Sequence, residues 1–236
     1  MGNFAGCRAT GAGLERSRTS RSRRALGPRL KELVKAFVAV AAVGDHVAVI
    51  PTPWPARSGS LLLREANATD IEELLSFRND PEVNRFMIRT SVEPDAFRQE
   101  WLAIPRSETD FSCVAEVDGN LAAMGFLEIV DGMGQPGMPT GTEGLIGYIV
   151  NPPFAGRGVA SDLARGLLAA AFGPLGLRRV TASCNADNPA SVRVLEKAGM
   201  RREQHGVEDS WHADLGWVDG YQYAILAREW RAQQVT

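Results

Sequence analysis

The sequence has few of the residues that build metal centres and disulfide frameworks. Among its 236 residues there are three cysteines and three histidines, and aromatic residues make up 7% of the chain. Cys7, Cys113 and Cys184 are too few and too scattered for a disulfide scaffold or a zinc site. None of the histidines has metal-site spacing with a cysteine. The composition therefore predicts a reduced, cytoplasmic protein without a metal.

Over most of its length the chain also lacks the basic surface that nucleic-acid binding requires. Residues 1–58 carry ten Lys and Arg against three acids, whereas residues 59–236 carry 16 against 25. The net charge is therefore +7 in the first segment and −9 in the second. Because a phosphate backbone binds to a basic footprint, the acidic segment suits a cationic or amine partner better than a nucleic acid.

Residues 1–58 have little of the apolar periodicity that a folded domain needs. The Arg and Ser residues between positions 16 and 24 predict disorder, and the prolines and glycine of residues 51–60 predict a linker. An apolar run at residues 36–43 follows basic residues, as in a signal peptide, but it is short and lacks a convincing cleavage site. We therefore predict a basic, disordered extension over residues 1–58, a folded domain over residues 59–236, and no membrane partner.

From residue 61 onward, strand signals and helix signals follow each other. A first strand and two helices precede a hairpin, whose Asp118–Gly119 turn supplies the positive φ angles that a tight turn requires. Strands and helices then alternate over residues 145–150, 158–172, 179–183, 189–198 and 221–227. Antiparallel strands before an alternating half predict an α/β (α+β) fold, with a mixed central sheet and helices on both faces.

The most informative segment is a strand, a glycine turn and a helix between Tyr148 and Ser161. Gly156 and Gly158 let the backbone approach a ligand closely, and the free N–H groups at the start of the helix can bind an anion. The segment is neither a Walker loop nor a dinucleotide fingerprint, because no Gly-Lys-Ser/Thr follows and the third glycine is missing. By itself it predicts either an anion site or a tight turn without a ligand.

A second segment, residues 184–200, has the signals of a capped helix. Asn188 suits the N-cap, Pro189 the first helical residue and Gly199 the C-terminal stop. Capping alone therefore explains Asn188. Ser191 lies three residues into the helix, where serine commonly just bonds the backbone.

Together and in this order, the segments resemble the GNAT superfamily of N-acetyltransferases. The resemblance is best to the Rim-type branch, which includes ribosomal-protein N-terminal acetyltransferases, and it covers about residues 61–230. It rests on Arg78-Asn-Asp-Pro-Glu-Val, Ile146-Gly-Tyr148, the glycine turn, Asn188-Pro-x-Ser191, Val194-Leu-Glu-Lys-x-Gly199 and Asp219…Tyr223-x-x-Leu226-x-x-Glu229-Trp230.

The resemblance implies acetyl-CoA as cosubstrate, held between two splayed parallel strands, 145–150 and 179–183. The pyrophosphate would lie on the backbone of the glycine turn and the pantetheine along the first strand. The implied cofactor-binding residues are Ile149, Val150, Gly156, Arg157, Gly158, Val159, Ala160 and Asn188. The other substrate would be an amine, either a protein N-terminus or a small molecule. Whether the chain forms a homodimer stays open.

The resemblance also implies a role for Ser191, in protonating the departing thiolate. The base is open, because Rim-type enzymes often carry Glu immediately before Ile-Gly-Tyr and this chain has Leu145 there. Glu143 lies two residues earlier, on the same face if the strand extends that far. Glu208, Asp209 or a water relay could deprotonate the amine instead.

Two alternatives remain beside an active enzyme. Leu145 and Ala155, which stands where the family usually has Gln or Arg, favour a non-catalytic acyl-CoA-binding module that keeps the fold and loses the chemistry. A nucleic-acid-associated protein would have to rest on the Arg-rich extension alone.

Overall fold

The computed structural model describes residues 52–234, so the predicted basic extension lies almost wholly outside the described residues. Within this range no helix is long and apolar enough to cross a membrane. The strands of residues 52–234 form one sheet, in the order β1-β2-β3-β4-β5-β6-β8-β7. They are β1 (Ala56–Ser58), β2 (Leu61–Arg64), β3 (Cys113–Val117), β4 (Asn120–Val130), β5 (Glu143–Val150), β6 (Arg179–Asn185), β7 (Arg201–His212) and β8 (Gly216–Leu226).

Helices cover both faces of this sheet. They are α1 (Ile71–Arg78), α2 (Pro81–Asn84), α3 (Pro94–Ala103), α4 (Val159–Phe172), α5 (Pro189–Lys197) and α6 (Ala227–Gln233). One core lies under α4 and α5, where Leu163, Leu167 and Leu195 are buried. The other lies under α1 and α3, where Leu74 and Trp101 are buried. The predicted mixed sheet with helices on both faces is confirmed.

The feature of the sheet that matters most is the short contact between β5 and β6. These two strands are parallel, and they pair only from Glu143 to Leu145, opposite Arg179 to Thr181. Beyond that point β5 stays paired with β4 as far as Val150, and β6 stays paired with β8 as far as Asn185. Because each strand follows its outer neighbour, their carboxyl-terminal halves separate and the sheet opens. The predicted splayed pair is thus present.

The sheet begins before the predicted domain start at residue 59. Ala56–Ser58 pairs with Leu61–Leu63, and the side chain of Trp54 is only 6% exposed. The Trp54 indole N–H donates to the carbonyl oxygen of Phe111 at 2.9 Å, in the middle of the fold. The prolines around this tryptophan made the segment resemble a linker. We therefore propose that the folded domain starts near residue 52.

Two truncated chains test this start. A chain that begins at Thr52 keeps Trp54 and β1, so we expect it to melt at the temperature of the full chain. A chain that begins at Gly59 loses both, and burial of a tryptophan stabilises a core by about 3–5 kcal/mol. We expect this shorter chain to melt far lower or to be insoluble, with Trp54→Ala in the full chain as the point-mutant control. Equal melting temperatures in circular dichroism would restore the boundary at residue 59.

Candidate active site

The separated halves of β5 and β6 form the sides of a cleft of about 740 Å³. Residues 146–150 of β5 line one side and residues 182–185 of β6 line the other. The turn before α4 and the length of α5 also line it, and residues Val83, Phe86 and Met87 contribute a wall from the helix-and-loop region before α3. The cleft is therefore a direct product of the break in the sheet.

The glycine turn presents backbone N–H groups to this cleft. Gly156 and Gly158 have φ angles of +74° and +86°, which glycine adopts without strain, and Gly158 is the N-cap of α4. A Cβ atom at either glycine would meet nothing within 4 Å, so the space in front of the turn is open. The first N–H groups of a helix have no intrahelical acceptor and carry the positive end of the helix dipole. The turn can therefore bind an anion.

Seven of the eight predicted cofactor-binding residues line the cleft. They are Ile149, Val150, Gly156, Gly158, Val159, Ala160 and Asn188. The eighth, Arg157, is exposed on the same turn but does not line the cleft.

Two cations that sequence reasoning missed lie in the cleft on α5. Arg193 and Lys197 both line it, four residues apart and therefore on one face of the helix. The spacing of four residues could have indicated a pair of cations on one helix face. It points to the cleft only when the structure shows that this helix lines the same cleft as the glycine turn. Cations that line a cleft suit phosphate groups, and Ala155 at the turn supplies no charge of its own.

Asn188 caps α5 as predicted and also faces the cleft. Its side-chain oxygen accepts a hydrogen bond from the Ser191 N–H at 3.1 Å. Its amide nitrogen donates to no other group of residues 52–234. The residue can thus hold the helix with one end of its amide and leave the other end free to donate to a ligand.

A hydrogen bond crosses the cleft from β5 to α5. The hydroxyl oxygens of Tyr148, on β5, and Ser191, on α5, are 2.9 Å apart, and both residues line the cleft. Burial raises the pKa of Tyr148 to about 12, so the phenol keeps its proton at neutral pH. Burial also raises the pKa of the neighbouring Cys184, whose thiol therefore stays protonated. Sequence reasoning noted Tyr148 only as part of a motif and missed its contact with Ser191.

The predicted acids Glu143 and Glu208 are not brought to the cleft. Glu143 lies at the paired end of β5, where it forms ion pairs with Arg178 and Arg179. It is five residues from Tyr148, which is about 17 Å along a strand. Glu208 lies in a bulge of β7 with a φ of +49°, and its N–H donates to Asp219. Neither side chain fits the position of a base beside Ser191.

A second cavity, of about 430 Å³, adjoins the cleft and is lined by the loop residues 86–89 and by β6, β7 and β8. The two cavities share Phe86, Met87 and residues 183–185 of β6, so they meet where β6 ends. Asp209, the neighbour of Glu208, lines this second cavity. The cleft and the second cavity therefore adjoin at the end of β6, and we call the two together the passage.

The wall that both cavities share is tied to α1 by two consecutive residues. Arg78 is 5% exposed, and it donates to the side-chain oxygen of Asn84 and to the carbonyl oxygen of Arg89, each at 2.8 Å. Asn79 exchanges two hydrogen bonds with the backbone of Val92, at 3.1 and 2.8 Å. The motif Arg78-Asn79 therefore fixes the loop that carries Phe86 and Met87.

Comparison with known proteins shows which family this sequence and this fold are similar to. Residues 60–201 match the acetyltransferase (GNAT) domain family. The uncharacterized N-acetyltransferase YnaD of Bacillus subtilis (strain 168) is 39% identical over 85 residues, which are 36% of this chain and 49% of YnaD. The chain thus matches about half the length of that relative.

Solved structures extend the similarity over most of the described domain. A GNAT-family acetyltransferase from Bacillus anthracis shares 25% identity and a TM-score of 0.61, over 73% of this chain and 98% of that one. RimJ from Mycobacterium smegmatis, solved in complex with CoA-disulfide, shares 20% identity and a TM-score of 0.61, over 77% of this chain and 96% of that one.

Substitutions at Asn188 measure its contribution as a cap. Asn188→Ala removes the acceptor for the Ser191 N–H, so we expect the free energy of unfolding to fall by about 1 kcal/mol. Asn188→Asp keeps a side-chain oxygen at the same place, and we expect an unchanged free energy of unfolding. Urea denaturation of both variants gives the two values. An equal loss of unfolding free energy in both variants would mean that the amide nitrogen of Asn188, and not the side-chain oxygen that caps the helix, stabilises the start of α5.

Proposed function

The chain belongs to the GNAT acetyltransferase family, and we propose that it transfers the acetyl group of acetyl-CoA to a primary amine. The observation that carries the proposal is the combination of groups along one cleft. An open helix start and two cations suit phosphates, the break between β5 and β6 exposes strand backbone, and a hydroxyl pair lies across the opening. The family uses acetyl-CoA. The helix start and the cations would meet its phosphates, the exposed strand its pantetheine arm, and the hydroxyl pair its thioester.

The fit to the nucleotide end rests on the glycine turn and α5. The backbone N–H groups at Gly158, Val159 and Ala160 would receive the pyrophosphate, and Arg193 and Lys197 would balance its charge. The pantetheine arm carries amide groups that need donors and acceptors. The backbone of Val150, which faces away from β4 and which β6 no longer pairs, would supply both, together with the free amide nitrogen of Asn188, while Ile149 lines the same side of the cleft.

The residues at the opening would manage the protons of a direct transfer. The amine nitrogen bonds to the acyl carbon, the carbon–sulfur bond breaks, and the sulfur leaves with the electron pair. Ser191 would donate its hydroxyl proton to the thiolate and regain a proton from solvent, which takes up the proton of the amine, while Tyr148 stays protonated and keeps its hydrogen bond with Ser191. Fixed placement of both reactants in one passage would supply much of the rate enhancement.

We assign deprotonation of the incoming amine to water in the second cavity. Neither Glu143 nor Glu208 lines either cavity, Leu145 carries no titratable group, and the carboxylate of Asp209 lies over Gly206 and Gly220, on the far side of the second cavity from β5. The second cavity adjoins the cleft at residues 183–185, so an amine that enters there would reach the cleft at the end of β6. Either small amines or a protein N-terminus could use this route. The distant similarity to RimJ supports only the fold and leaves both acceptors within the proposal.

One observation favours the alternative of a non-catalytic acyl-CoA-binding module. Leu145, at the position where Rim-type enzymes often carry Glu, is 38% exposed and lines neither cavity, so no base stands at that position. The pairing of Ser191 with Tyr148 favours the enzyme, because a binding module has no use for a proton donor at the thioester. Turnover separates the two functions.

Substitution of Gly158 tests the cofactor site. Gly158→Asp would place a carboxylate in the open space before the helix start, where like-charge repulsion opposes a phosphate. We expect calorimetry to show loss of CoA binding with the fold retained. Gly137→Asp is the matched control, since Gly137 has a φ of +88°, equally open surroundings and a place outside both cavities. Wild-type affinity in Gly158→Asp, or equal loss in both variants, would remove the phosphates from this turn.

Substitution of Ser191 tests the chemistry. We expect Ser191→Ala to bind acetyl-CoA as the wild type does and to turn over about 10²-fold more slowly, the low end for general acid–base groups. The assay follows release of free thiol with a panel of butylamine, 1,4-diaminobutane and a tetrapeptide with a free N-terminus. Full turnover in Ser191→Ala would assign thiolate protonation to water. Tight CoA binding without turnover of any amine in the wild type would favour the binding module.

A further inference from the structure

We infer that the ring of Phe126 is the wall that limits the length of the acyl chain in the cleft, so that short-chain acyl-CoA is the donor. This inference rests on the proposed function, because the acyl group takes its place from the order of the other parts of acyl-CoA along the cleft. Phe126 would act on the acyl chain by contact alone, apart from Tyr148 and Ser191, which would meet the thioester.

The acyl chain would extend from Tyr148 toward the end of the cleft where β5 and β6 pair. In the proposed arrangement the phosphates lie at the turn after β5, the pantetheine at Val150 and the thioester at Tyr148. The next residues of β5 in this direction are Gly147 and Ile146, which also line the cleft, and the ladder with β6 ends at Leu145. The acyl chain follows the thioester, so it would lie beside Gly147 and Ile146.

The length of the cleft alone does not restrict the donor to a short chain. Tyr148 and Leu145 are three residues apart, which is about 10 Å along a strand. At about 1.2 Å per bond of an extended chain, a six-carbon acyl group spans about 6 Å. A hexanoyl chain would thus fit between the thioester and the paired end of the strands, unless a side chain occupies that space.

Phe126 is the side chain that borders this space beside Gly147. Phe126 of β4 pairs directly with Gly147, and both residues line the cleft. A Cβ atom added to Gly147 would meet the Cδ2 atom of Phe126 at 3.4 Å, and its next two neighbours within 4 Å also belong to Phe126. Because Gly147 has no side chain of its own, the Phe126 ring forms the surface of the cleft at this position.

Two buried aromatic residues of α3 hold the Phe126 ring in place. Trp101 meets this ring edge to face, with 5.9 Å between the ring centroids and 70° between the ring planes. Trp101 also packs against Phe97 at 5.6 Å, and the two residues are 3% and 2% exposed. Rotation of the Phe126 ring away from the cleft would disturb this packed cluster, so the wall is fixed before the donor binds.

The test compares acyl donors of two lengths. Calorimetry gives the Kd of acetyl-CoA and of hexanoyl-CoA for the full chain, in the wild type, in Phe126→Leu and in Phe126→Ala. We expect the wild type to bind acetyl-CoA about tenfold more tightly or more, because a hexanoyl chain has to displace a ring that the core holds. Phe126→Leu should reduce this ratio of Kd values and Phe126→Ala should abolish it, since each substitution removes part of the wall.

Phe77→Leu is the matched control for a change in the core. Phe77 is 3% exposed, belongs to the same core as Trp101 and lines neither cavity, so this variant should keep the wild-type ratio. CoA itself, which has no acyl chain, is titrated into every variant to show that the rest of the site is intact. If Phe126→Ala does not bind CoA, Phe126→Leu decides the outcome. Loss of CoA binding in both variants would assign Phe126 a structural role and overturn the inference.

Equal Kd values for the two donors in the wild type would overturn the inference. A ratio that persists in both Phe126 variants, or that changes equally in Phe77→Leu, would do the same. Binding needs no turnover, so the ratio tests the wall separately from the transfer. If the ratio responds to Phe126 and the wild type acetylates no amine, the proposed transfer fails and the wall stands. If neither donor binds, both are overturned.

Discussion

The separation of β5 from β6 is the constraint on which the rest of the structure depends. β5 remains in register with β4 to its last residue, and β6 does the same with β8. The two middle strands cannot follow diverging neighbours and stay paired, so their ladder ends after Leu145 and Thr181. Every candidate functional group takes its place from this break. The glycine turn lies at the end of β5, α5 follows β6, and the Tyr148–Ser191 hydrogen bond spans the opening.

Charges divide between the closed and the open end of this break. At the closed end, Glu143 and Glu203 are each contacted by two arginines, so these side chains satisfy one another. Exposed ion pairs of this kind contribute little to stability, and they leave no charge for a ligand. At the open end, Arg193 and Lys197 face the cleft and Asp209 faces the second cavity. The cleft therefore favours an anion, whereas the second cavity is lined by charges of both signs, because Arg89 lies there with Asp209.

Strong local patterns made much of the fold predictable. The hairpin turn has the expected positive φ angles at Asp118 and Gly119, and the predicted splayed strands lie within β5 and β6. The sequence analysis missed β7, because almost all its side chains are exposed. An edge strand with both faces in solvent has no alternation of polar and apolar residues. It also missed β1, because proline-rich sequence beside Trp54 looks like a linker until the indole is seen in the core.

The sequence by itself determined the conformations that depend on neighbouring residues. Gly158 permits a left-handed turn, and Asn188 with Pro189 starts a helix, wherever the rest of the chain lies. Only the tertiary structure decided which acids line a cavity. Glu208 and Asp209 are adjacent in sequence, yet a bulge in the register of β7 against β8 turns only Asp209 into a cavity. Register and strand separation arise from contacts between residues distant along the chain, so a local sequence pattern cannot predict them.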